Sequence, residues 1–124
     1  MQNVLLVAVG GGIGAALRHL VNMGAMRLGT SFPWGTLAIN IVGCFIMGVF
    51  IEVLARRFNA SNELRLFFAT GILGGFTTFS AFSLDFALLW ERGAMGSAAF
   101  YAAASLLGTL VAVFLGLWLA RSFA

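Results

Sequence analysis

Four long apolar segments, near residues 4–23, 34–55, 65–91 and 97–120, occupy most of this chain. Each is about as long as the ~20-residue helix that crosses ~30 Å of hydrocarbon. The breaks between them, Met26 to Pro33, Arg56 to Glu63 and Arg92 to Gly96, are too short to hold a folded domain. With 61% of its 124 residues hydrophobic and 9% charged, the chain has little left from which to build a soluble unit. It reads as an all-α integral membrane protein, a single domain over 1–124 with four transmembrane helices. The first segment has no basic leader and further apolar segments follow it, so it reads as a retained span rather than a cleaved signal.

Most enzymatic classes are excluded by what is missing. There is one histidine, His19, and no spacing of His, Asp and Glu suited to a metal. The sole cysteine, Cys44, lies within the second span, which rules out an intrachain disulfide, and it reads as a small apolar filler. The run GGGIG at 10–14 has neither the preceding strand nor the following Lys-Ser/Thr of a phosphate loop. Gly10 and Gly14 instead make a GxxxG step, which Gly11/Ala15, Gly12/Ala16, Gly71/Gly75 and the row Gly108, Ala112, Gly116 repeat. Such faces let helices approach closely, and they predict a tightly packed bundle that forms a homo-oligomer.

Polar residues within spans cost free energy unless they meet other polar groups or water. Here they fall on lines. Thr36 and Asn40 are four apart on the second span, and Tyr101, Ser105 and Thr109 keep the same step on the fourth. A single hydroxyl can bond back to its own helix, but an amide such as Asn40 has more bonding groups than its helix can satisfy. Arg18 follows only about 14 residues, or roughly 21 Å, into the first apolar run, so it snorkels or faces a wet vestibule that would attract anions. Glu52 and Arg56, four apart, are spaced for a helix-surface pair.

The stretch GILGGFTTFSAFSLD at 71–85 departs most from an ordinary span. Gly74 and Gly75, followed by Thr77, Thr78 and Ser80, predict a third helix broken near its middle, with a hydroxyl capping the restart. The half ending near Gly74 would present carbonyl oxygens to a cation. The half starting near Thr78 would present N–H groups and a positive dipole end to an anion. Phe79 and Phe82 share a face of that second half, and an aromatic ring is positive at its edge.

Together with PWGTLAINIVG at 33–43, the segment GGFTTFSAFS strongly resembles the Fluc/CrcB family of bacterial fluoride channels, and GGGIGAALRH and YAAASLLGT follow the same pattern. The resemblance covers the whole chain. It implies an antiparallel, dual-topology homodimer in the bacterial inner membrane, with two pathways exporting fluoride from the cytoplasm and one structural sodium ion at the dimer centre. By motif, Phe79 and Phe82 look like the pair whose ring edges line the pathway, and Asn40 like the asparagine supporting them. Tyr101, Ser105 and Thr109 look like the hydroxyl track, and Arg18 like the vestibule arginine. Gly74 and Thr77 match the positions whose backbone carbonyls hold sodium. Asp85 stands where relatives commonly carry glutamate, so any role of the longer acid is not carried over.

A proton-coupled antiporter of the small multidrug-resistance type is the alternative, and a structural subunit of a larger complex a third reading. The antiporter needs an acid in its first span, where this chain has none. Orientation is read separately, from charge. Arg56, Arg57, Arg65 and Arg121 would lie on one side of the membrane, Arg18, Arg27 and Arg92 on the other, and there is no lysine. So small a difference predicts insertion in both directions.

Overall fold

The computed structural model describes residues 2–29, 32–56 and 62–123, and every regular element among them is helical. Three long helices are α1 (Gln2–Met26), α2 (Trp34–Arg56) and α6 (Met95–Phe123). Between α2 and α6 come a single turn α3 (Asn62–Arg65), a π-helix over Leu66–Leu73, a further turn α4 (Gly74–Phe76), and α5 (Phe79–Glu91). Four stretches among the described residues are long and apolar enough to cross a membrane: Gln2–Met26, Trp34–Leu54, Glu63–Glu91 and Met95–Phe123.

The connections end where glycine permits. Gly93 has φ 80°, its N–H bonds Trp90 O at 3.0 Å, and Ala94 N–H bonds Leu89 O at 3.0 Å, which is the two-bond closure of a Schellman motif. Gly29, at φ 70°, follows the last turn of α1 in the same left-handed conformation.

Helices meet through small residues. The buried face of α6 runs Ala98, Tyr101, Ser105, Ala112, Gly116, Ala120, and α2 packs along it. At Gly116 a methyl group would overlap the Phe45 carbonyl of α2, so the two backbones touch where both helices lack side chains, Gly48 lying opposite. The α1 face is built the same way against the π-helix and α4. A Cβ at Gly10 would come within 2.6 Å of Phe67 O, and one at Gly14 would overlap Ile72 O and reach 2.7 Å from Phe76 N. The contacted positions 67, 71–72 and 76 recur every four to five residues. That is the period of i→i+5 winding, so the π-helix keeps one narrow strip of backbone against α1. Meanwhile Leu106, Leu107, Phe114 and Trp118 of α6 point outward, as expected of a surface solvated by lipid.

The apolar core is small. Leu37, Leu89, Ala98 and Tyr101 form its buried centre, with Phe82 and Phe86 packed on its flank. That core fixes α5 against α2 and α6, and so positions the residues considered next.

Candidate functional site

Between α4 and α5 the chain leaves helical geometry for two residues. Thr77 has φ −80°, ψ 154° and Thr78 has φ −154°, ψ 127°, both extended. Two side chains hold this junction. The Thr78 hydroxyl accepts from Ala81 N–H at 3.2 Å and so caps α5. Asn40, only 7% exposed on α2, donates from Nδ2 to Thr78 O at 3.0 Å and accepts from Thr78 N–H at 2.8 Å at Oδ1. These two bonds of opposite sense fix which way the amide points, and they leave its second N–H uncommitted.

The same bonds free particular carbonyls. In a continuous helix Gly74 O would accept from Thr78 N–H and Thr77 O from Ala81 N–H. Here those amides go to Asn40 and to the Thr78 hydroxyl. Thr77 itself remains tied to the preceding turn, its N–H and its hydroxyl both donating to Leu73 O at 3.0 Å. Gly75 and Phe76 lie in the same interrupted stretch, yet of these four residues only Gly74 and Thr77 line the adjoining cleft.

That cleft has a volume of about 680 Å³ and is lined by Asn40, Cys44, Phe79, Phe82, Ser105 and Thr109 among others. Phe79 is 79% exposed, while Phe82 is half-buried, and their ring centroids are 5.5 Å apart with planes tilted by 41°. Phe82 leans on Tyr101, centroids 5.1 Å apart. Both phenylalanines occupy the first turns of α5, where the helix end is positive.

The three α6 hydroxyls differ in what they can offer. Ser105 lines the cleft, and its Oγ is buried with no hydrogen-bond partner, so its proton is not committed elsewhere. Thr109 donates back to Ser105 O at 2.6 Å and also lies 3.2 Å from Leu106 O, which leaves its oxygen chiefly an acceptor. Tyr101, fully buried, donates to Asp85 Oδ2 at 3.2 Å. The short carboxylate of Asp85 thus reaches across and joins α5 to α6. Neither Tyr101 nor Arg18 lines the cleft, and Arg18 lies half-buried on α1.

Spacing did not reveal everything. Glu52 pairs with Arg121, Nε to Oε1 3.2 Å, a contact between α2 and α6 that the four-residue step to Arg56 does not suggest. The Arg56 side chain lies outside those described. Phe86 and Trp90 continue the ring row of α5, at 6.5 and 6.2 Å between successive centroids, and their positions 86 and 90 could have been read as one face with Phe82. Among the described residues no group of three or more His, Cys, Asp or Glu side chains could hold a metal ion.

Residues 5–117 match the family described as "CrcB-like protein, Camphor Resistance (CrcB)". A protein of Mesorhizobium japonicum named fluoride-specific ion channel FluC is 71% identical over 123 residues, 98% of either chain. Proteins of the same name from Chelativorans sp. and Agrobacterium fabrum are 60% and 59% identical over the same share of both chains.

Proposed function

Since this chain belongs to the CrcB-like family, we propose that it is a multi-pass membrane channel for fluoride, not an enzyme. The observation that carries the reading is its full-length likeness to proteins named for that activity, and the junction at Thr77 and Thr78 supplies suitable chemistry. Fluoride is small and strongly hydrated, so a pathway must replace its water with donors and must not hold it tightly. The free Ser105 hydroxyl, the spare Asn40 N–H and the edges of Phe79 and Phe82 are donors of graded strength around one cleft. The positive end of α5 favours the anion there. Arg18 raises anion concentration at the mouth, and flow follows the electrochemical gradient out of the cytoplasm of the bacterial inner membrane.

On this reading the stretch from Glu63 to Glu91 is one span broken near its middle, and two copies meet head to tail as an antiparallel homodimer. The carbonyls of Gly74 and Thr77 fit a hard monovalent cation, because they are oxygen donors released from the helical ladder on residues that line the cleft. They would hold a structural sodium ion, whose charge would offset the converging carbonyl dipoles of the two copies. An antiporter of the small multidrug-resistance type is not favoured, since α1 carries no acid.

The deciding experiment uses purified protein in liposomes loaded with fluoride, release being followed with a fluoride electrode. Selective release, absent from chloride-loaded vesicles, is expected. Retention of fluoride, or equal loss of chloride, would overturn the reading.

A further inference from the structure

Of the chain's four acids, Glu63 and Glu91 mark the ends of the third apolar stretch, and Glu52 pairs with Arg121. Asp85 stands inside that stretch and is held by a phenol instead, its Oδ2 accepting from Tyr101 at 3.2 Å. A phenol spends one hydrogen bond on a carboxylate and leaves its charge in place. An ionisable group at such depth is costly, so its placement calls for a reason. Positions 78, 82 and 85 follow steps of four and three along α5, which puts them in one row. Thr78 and Phe82 line the cleft, whereas Asp85, half-buried, does not. On α6, Tyr101 stands one position before the cleft-lining Ala102 and is itself fully buried. Its ring is gripped on two sides, by Phe82 with centroids 5.1 Å apart and by Phe32 at 5.5 Å, edge on. The phenol is therefore a fixed anchor beside the cleft.

We propose that the Tyr101 hydroxyl is a latch on the Asp85 carboxylate, holding out of the cleft a negative charge that would otherwise repel the anion. The functional half of this inference rests on the channel reading above. Tyr101 is then a positioning residue: its hydroxyl touches no ion and matters through Asp85. Once the phenol is lost, the carboxylate turns to water for solvation, and the cleft bordered by Thr78 and Phe82 on its own helix offers it. A carboxylate there faces the anion with like charge at short range, in surroundings that screen it less than bulk water does.

The test uses full-length protein and two readouts. Tyr101 is the chain's only tyrosine, so the tyrosine doublet in its ultraviolet resonance Raman spectrum reports this phenol alone. The doublet is expected to show strong donation in the unmodified protein and to lose it in Asp85→Ala. A doublet without strong donation, or one that Asp85→Ala leaves in place, overturns the latch whatever the protein conducts. In fluoride-loaded liposomes, Tyr101→Phe is expected to slow release by roughly tenfold or more, the cost of a like charge close to the path. Asp85→Asn is expected to release at the unmodified rate, and the double variant Tyr101→Phe, Asp85→Asn to recover most of what Tyr101→Phe loses. A hydroxyl that served packing or anion contact alone predicts no such recovery. Release from Tyr101→Phe at the unmodified rate overturns the proposal, as does a slow Tyr101→Phe that Asp85→Asn fails to rescue. Absence of release from the unmodified protein overturns the channel reading and the charge-placing role together, a result distinct from slow flow in Tyr101→Phe alone.

Discussion

Asn40 acts on backbone rather than on another side chain, and this makes its replacement informative. Asn40→Asp keeps an acceptor for Thr78 N–H but leaves Thr78 O without its donor and puts negative charge beside the anion cleft. Fluoride release from Asn40→Asp is expected to fall below detection while the protein stays folded; release at the unmodified rate would show that the amide only braces the junction. The rings make a second case. Phe79→Ile and Phe82→Ile retain bulk but lose the positive edge, so release from either is expected to be abolished or greatly slowed with oligomeric state unchanged by size-exclusion chromatography. Unaltered release from both folded variants would reduce the rings to packing. The sequence showed which residues stand on a face, since that needs only the helical period. It did not show where each proton goes. Thr109 and Ser105 look alike in spacing, yet one hydroxyl is spent on its own helix and the other is free. Asp85 meets Tyr101 across 16 residues and Asn40 meets Thr78 across 38, contacts fixed by packing rather than by local pattern.

At the scale of elements, backbone does what side chains do elsewhere. If sodium is held by the carbonyls of Gly74 and Thr77, Thr77→Ser should be nearly silent, because the hydroxyl bond to Leu73 O survives. Thr77→Val should change sodium dependence only modestly through packing. A sharp loss in Thr77→Val, measured as release against sodium concentration, would place the site on the side chain instead. Close approach of α1 to its neighbour gives a further test. Gly14→Ala sets a methyl group into the Ile72 carbonyl and is expected to cost roughly 1–3 kcal/mol, seen as a lower unfolding midpoint in detergent. Gly12→Ala, where nothing lies within 4 Å, is the matched control and should leave that midpoint in place. The small-residue steps announced these contacts. Nothing in LFFATGIL announced a π-helix, because winding there follows from the strip of backbone that α1 presents and not from residue propensity.

For the whole molecule, there is no lysine, and the four-span reading of the sequence puts four arginines on one side of the membrane and three on the other. A topology reporter on the C-terminus is expected to give comparable signal from both faces of the membrane, and signal from one face alone would sink dual insertion. Two extra arginines after Arg57 should bias the tag to the cytoplasm and lower activity, which co-expression with a copy biased the other way, by arginines beside Arg27, should restore. The four-helix plan was plain in hydropathy, whereas assembly had to be argued from charge and small-residue faces. The π-helix also bears on how such a chain can change through descent. Each of residues 66–73 contributes less rotation than it would in an α-helix, so the segment works as a spacer that sets the angular phase of everything after it. Exchanging one apolar residue for another there leaves that phase alone. Losing or gaining a single codon would turn the Thr78 cap and both phenylalanines away from Asn40, so the segment is fixed in length, and at Gly71, where a Cβ would come within 3.0 Å of Gly10 Cα, in spelling as well.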